Sequence, residues 1–237
     1  MTAPESLLST IAQEQAWNRE QMLEPVQAPR FHIWMYEAPA VVLGCSQRKF
    51  EEGARARLDA NVELLLRPSG GGAVLTGPWM VSCSVVLPLD HPWVQGRLPD
   101  SYHGLGQLHV DVLAALGVPS RALPPAEVDA TNTLTGATVP WACYGSLAPW
   151  EVVDAAGRKL VGLAQRRQRT GVLLVAGTLV TPPDWALLCA ALDQPGDVAA
   201  MQRRTVDCTQ LSATPPDAPR LAQALQVALS QALGVPA

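Results

Sequence analysis

An α+β fold is predicted by two features of the sequence. Apolar runs of strand length come in blocks, from Arg30 to Leu87 and again from Trp150 to Val180, with helical patterns between and after the blocks rather than behind every strand. The composition, 48% hydrophobic and 16% charged over 237 residues, supports a substantial core and argues against disorder. No internal repeat is visible, and the length fits one large domain or two small ones.

In chain order, Ser6 to Leu23 places Leu8, Ile11, Ala12, Ala16 and Leu23 near one helical face, with Glu14, Arg19 and Glu20 elsewhere. Pro25 and Pro29 end that helix. Arg30 to Tyr36 alternates as a strand, Ala40 to Leu43 is a short buried strand, and Gly44 to Gln47 is the loop leaving it. Lys49 to Ala60 favours a helix. Val62 to Leu66 and Met80 to Leu87 are strands, with Cys83 a small core residue of the second. Pro88 to Asp100 reads as a loop, and Leu105 to Leu116 as an amphipathic helix terminated by Gly117. Ser120 to Thr138 has no period and reads as a connector. Trp150 to Val153, Leu160 to Gln165 and Val172 to Val180 read as an antiparallel meander. Asp184 to Leu192 and Arg220 to Leu233 are helices around an irregular stretch from Met201 to Pro219.

Charge and cysteine usage exclude several function classes. A net charge of −4 argues against nucleic-acid binding through a broad basic face. Met1 to Thr10 lacks the basic region and apolar core of a signal peptide, and no apolar run is long enough to span a bilayer. The five cysteines are irregularly spaced without a Cys-x-x-Cys pair, and the four histidines are scattered, so no metal centre is expected. This usage points to reduced thiols and a cytoplasmic location.

Two stretches carry candidate chemistry. Arg67-Pro68-Ser69-Gly70-Gly71-Gly72-Ala73-Val74 joins two strands, and its glycines make either a turn or a cradle that another group can approach closely. It lacks the Gly-Lys-Ser/Thr of a phosphate loop and the spaced glycines of a dinucleotide fingerprint. Gly157-Arg158-Lys159-Leu160-Val161-Gly162-Leu163-Ala164-Gln165 opens a strand with a lysine. On its residues alone Lys159 reads as a solvated charge beside a hairpin; the functional alternative is an ammonium aimed into a pocket. Arg166-Arg167-Gln168-Arg169 is either a solvated hairpin tip or a docking patch for an acidic partner. Trp79, Trp141 and Trp150 read as core or pocket wall.

Together with Val41-Val42-Leu43-Gly44 and Gln47, these two stretches resemble the ordered motifs of the biotin/lipoyl protein ligase catalytic domains, in the lipoate-protein ligase A and cysteine-type octanoyltransferase branch. The resemblance runs from about Ile11 to Val180. It implies a class II synthetase-like fold, a mixed and largely antiparallel sheet flanked by helices, in one catalytic domain over residues 1–237. Only Thr181 to Ala237 remain beyond the motifs, which leaves no room for the accessory domain of many ligases.

The resemblance also implies an octanoyl or lipoyl group delivered to a lysine of a carrier, such as a 2-oxoacid dehydrogenase E2 lipoyl domain or the glycine cleavage H protein. Acyl carrier protein is the implied donor of the transferase. Gln47, Arg67, Ser69, Gly70, Gly71, Gly72, Ala73, Gly162 and Ala164 would shape the acyl pocket. Lys159 would contact the acyl carbonyl or an adenylate phosphate. Cys143-Tyr144 ahead of Pro149-Trp150-Glu151-Val152 resembles the nucleophile segment of the octanoyltransferases, which need no cofactor. The ligase alternative needs ATP and Mg, and a third reading is a binding protein that keeps the pocket without the activity. Relatives often carry His-Asp after Ala73-Val74 and His before Gly177-Thr178; here Leu75-Thr76-Gly77-Pro78-Trp79 and Val175-Ala176 stand there.

Overall fold

The computed structural model describes residues 8–236. The expectations for the first seven residues, including the start of the first helix and most of the signal-peptide reading, lie outside them. Helix α1 (Ile11–Glu20) opens on a capping box: Thr10 accepts from the Gln13 amide at 3.2 Å and Gln13 accepts from the Thr10 amide at 2.7 Å. It is shorter than its pattern, and the face it buries is Ile11, Glu14 and Asn18, while Leu8 and Leu23 are exposed. The apolar stripe was therefore the wrong guide to the inner face.

Strand β1 (Arg30–Met35) is followed by β2 (Ala40–Leu43), a 3-10 turn over Cys45–Phe50 where a loop was expected, helix α2 (Glu51–Arg57) and strand β3 (Glu63–Leu66). After the glycine stretch come β4 (Val74–Thr76), which its three-residue length hid, and β5 (Met80–Leu87), buried throughout. Short 3-10 turns in the proline-rich 88–102 region lead to α3 (His103–Ala115), whose chain reverses at Gly117 with φ +75°. The expected connector instead holds β6 (Arg121–Ala122) and α4 (Val128–Leu134). Strands β7 (Val152–Val153), β8 (Lys159–Arg167) and β9 (Val172–Leu179) form the antiparallel meander. Helices α5 (Trp185–Ala191), α6 (Val198–Arg204), α7 (Cys208–Leu211) and α8 (Ala218–Leu233) close the chain, so the region read as irregular from Met201 is partly helical.

The strands form two sheets. The larger runs β1-β5-β9-β8-β7-β6 with every neighbour antiparallel. The smaller runs β3-β2-β4, with β2 and β3 parallel. One apolar cluster, including Leu105, Leu113, Leu221, Leu225 and Leu229, packs α3 and α8 on one face of the larger sheet. A second, including Val41, Leu43, Leu75, Tyr144, Trp185 and Met201, joins the smaller sheet to the other face. Among the described residues no helix is long and apolar enough to cross a membrane.

Candidate active site

The glycine loop is shaped by the arginine that precedes it. Strand β3 delivers Arg67 nearly buried, and its guanidinium donates to the Gly70 carbonyl at 3.0 Å and the Gly72 carbonyl at 2.8 Å. Gly71 takes φ +97°, a region that side chains disfavour. At Gly72 a Cβ would stand 2.7–2.8 Å from backbone atoms of Trp141, Ala142 and Cys143, so only glycine lets the two main chains touch. The contact continues as a bridge between Ala73 and Ala142. The Ala73 amide donates to the Trp141 carbonyl at 2.7 Å, and the Cys143 amide donates to the Ala73 carbonyl at 2.9 Å. Gln47, also buried, accepts from the Gly44 amide at 3.1 Å and donates to the Trp141 carbonyl at 2.8 Å. The loop after β2 and the glycine loop thus both fasten to the segment that carries Cys143.

Cys143 begins a 3-10 turn and is partly exposed. It lines a cavity together with Arg67, Ser69, Gly162 and Ala164, where the smaller sheet and β8–β9 face each other. Gly70, Gly71, Gly72 and Ala73 are not among the lining residues; Gly70 and Gly71 are exposed, and Gly72 and Ala73 pack against the segment 141–143. Val175 lines the cavity, apolar where relatives often have histidine, and Leu75 lies wholly in the core.

Lys159 is not the solvated charge its sequence context favours. It is 1% exposed, and its ammonium sits 2.6 Å from the Glu151 carboxylate and donates to the Cys143 carbonyl at 2.8 Å. It also lies 5.4 Å from the centre of the Tyr144 ring. Its hydrogen bonds reach the backbone of the cysteine turn, and it is not among the cavity-lining residues. Tyr144, buried, donates its hydroxyl to the Gly177 carbonyl and accepts from the Gly162 amide at 3.3 Å; burial raises its pKa well above the usual range. Glycine at both strand positions leaves room for the phenol.

Part of the cavity is polar in a way the sequence did not announce. Glu14 and Asn18 of α1, Tyr36 after β1 and Ser82 of β5 all line it and are all buried. Tyr36 donates to Glu14 and the Asn18 amide donates to it at 3.3 Å. Burial pushes the Glu14 carboxyl up to about 7, against the two hydrogen bonds and the nearby Arg67 charge that pull it down. Glu14 stands three residues after Ile11 and four before Asn18, the spacing of one helical face. That spacing was the only available signal.

Arg166 lines the cavity, and Arg167 donates to the Val94 carbonyl, so the basic run is not wholly a solvated tip. All five cysteines are free, and no group of three His, Cys, Asp or Glu among the described residues could hold a metal ion.

The family model for the lipoyl protein ligase A/B catalytic domain matches residues 9–226. Octanoyltransferase LipM of Kyrpidia tusciae is 32% identical over 213 residues, covering 87% of this chain and 76% of that protein. LipM of Moorella thermoacetica is 32% identical over 175 residues, covering 73% of this chain and 60% of that protein. Among solved structures, protein Ta0514 of T. acidophilum with bound lipoic acid aligns with a TM-score of 0.67 at 18% identity, over 96% of this chain and 83% of its own. Lipoate-protein ligase A bound with ATP aligns with a TM-score of 0.65 at 18% identity, over 95% and 82%. The structural likeness carries the fold, the sequence matches carry the descent, and the chain belongs to the lipoyl protein ligase A/B catalytic domain family.

Proposed function

We propose that this chain transfers an octanoyl or lipoyl group to a lysine of a carrier domain through a thioester on Cys143. Family membership makes it an acyltransferase of protein lipoylation. The observation that carries the cysteine route is the placement of the Cys143 thiol on the wall of a largely apolar cavity, in a turn tied to the glycine loop and to Lys159. The Cys143 thiolate attacks the thioester carbonyl of an acyl carrier protein; the new C–S bond forms, the old one breaks, and the departing thiolate takes a proton. The carrier lysine amine then attacks the acyl-cysteine, forming an amide, losing a proton and returning the Cys143 thiolate. Lys159 holds the turn that presents the thiol through its hydrogen bond to the Cys143 carbonyl.

E2 lipoyl domains and glycine cleavage H protein are the proposed acceptors, and the route requires no cofactor. The ATP-dependent alternative has less support in the residues. Where relatives often carry His-Asp, this chain has the wholly buried, apolar Leu75 and a buried Thr76 whose hydroxyl donates to the Ala40 carbonyl at 3.4 Å.

Incubation with octanoyl-acyl carrier protein and intact-mass analysis tests the reading. An octanoyl adduct on Cys143, absent from Cys143→Ala, is the expected result. Carrier modification that needs free lipoate and ATP and survives Cys143→Ala would replace it with ligation.

A further inference from the structure

Glu151 lies in the stretch that resembles the nucleophile segment, yet the sequence assigned it no role, and the structure builds it firmly into the site. Its carboxylate is 2% exposed and takes three donors: the Lys159 ammonium at 2.6 Å, the Ala148 amide at 2.7 Å and the Leu163 amide at 3.2 Å. Its backbone carbonyl accepts from the Leu123 amide at 2.9 Å. The residue before it, Trp150, stands at φ +65°, a conformation costly for any side chain. That conformation is enforced from outside. The Trp150 amide donates to the Leu123 carbonyl at 2.7 Å, and the Trp150 ring lies 4.2 Å from that of His103.

Strain of this kind persists only where surrounding structure over-determines it, and here it aims one carboxylate at one lysine. Lys159 is one of two lysines in the chain, and among the described residues Glu151 is the carboxylate in an ion pair with it. Burial raises the Glu151 pKa above the usual carboxylate range, and the adjacent ammonium opposes that rise without cancelling it. Without a carboxylate there, the buried ammonium would lose its charge partner and one of its hydrogen bonds, and with them its fixed reach to the Cys143 carbonyl.

We propose that Glu151 is a positioning residue for acyl transfer: it fixes the Lys159 ammonium against the Cys143 carbonyl and so sets the orientation of the thiol. The proposal rests on the cysteine route above. Glu151 touches no substrate; it acts through Lys159. Two consequences distinguish this from a general structural role. The loss should fall on the rate of the chemical step rather than on substrate binding, and it should vanish once Lys159 is gone.

The test is single-turnover octanoylation of Cys143 from octanoyl-acyl carrier protein, followed by quench and intact-mass analysis. The variants are Glu151→Gln, Lys159→Met and the double substitution. Each single variant is expected to slow acylation on the order of 100-fold, with the half-saturating donor concentration unchanged within about two-fold. The double variant should be no slower than Lys159→Met. Losses that multiply in the double variant, a wild-type rate in Glu151→Gln, or an effect confined to donor saturation would each overturn the proposal. Glu151→Gln strands a buried ammonium and can fail to fold. The double variant removes both charges, so its comparison with Lys159→Met still decides the matter. Absence of any Cys143 adduct in the wild type would instead reject the cysteine route itself.

Discussion

Glu14 is a buried acid in a cavity proposed to hold an acyl chain, and its linkage to pH has a definite sign. Its pKa is raised from 4.5 to about 7. Below 4.5 it is neutral in both folded and unfolded chains and costs nothing. Between those values the unfolded chain releases the proton while the folded one keeps it, so stability is lost as pH rises and stays lost above 7. Glu14→Gln keeps an acceptor for Tyr36 and removes the titration. At pH 8 it is expected to be more stable than wild type by up to about 3 kcal/mol, the advantage fading as pH falls toward 5. Urea denaturation at several pH values measures this, and a pH-independent difference would contradict it.

At this scale the sequence was only partly legible. Cys143, Arg67 and Gln47 could be picked out from their motifs. The burial of Lys159 could not, because it depends on Glu151 folding back from eight residues earlier across a short bulged strand pair. Glu14 was set aside because apolar residues were used to choose the helix face, whereas the buried face here is partly polar.

Among the elements, the glycine loop makes a graded set of expectations. Gly70 has open space around it, so Gly70→Ala should leave activity and stability near wild type. Gly72→Ala would drive a methyl into the backbone of residues 141–143, which cannot yield as a side chain could. It should cost about 1–3 kcal/mol and slow Cys143 acylation by displacing its turn. Thermal melts and the adduct assay measure both, and equal behaviour of the two variants would show that the loop does not bear on the cysteine.

Long, consistent patterns made elements readable: β5 and β9 are eight-residue, mostly apolar strands, and α8 has regular leucines between an Asp217 cap and Gly234. What escaped was short or locally ambiguous. Strand β4 has three residues between glycines, and α4 consists largely of Val, Asp, Thr and Asn, whose weak propensity is overridden by tertiary contact. Arg204 supplies some of that contact, donating to the carbonyls of Asn132 and Gly136 near the end of α4.

For the whole molecule, a net charge of −4 makes the arginines near the cavity a local exception. Arg19 and Arg166 both line it, and Arg169 is close by along the β8–β9 hairpin. If an acidic carrier docks there, Arg166→Glu combined with Arg169→Glu should raise the KM for carrier several-fold at low salt and flatten its salt dependence. The single-turnover rate at saturation should hold. Unchanged KM and salt response would place the docking surface elsewhere.

The bridge between Ala73 and Ala142 belongs to the side of the smaller sheet, whereas Lys159 opens the longest strand of the larger one. The turn that carries Cys143 and the lysine that bonds its carbonyl therefore come together only when the two sheets have docked. Residues 73 and 142 lie far apart in sequence, so this contact closes a long loop and is a slow one to form. During refolding each sheet can regain its hydrogen bonds while the chain is still catalytically silent. On the cysteine route proposed above, recovery of Cys143 acylation during refolding is expected to lag the recovery of strand signal, and equal rates would contradict this.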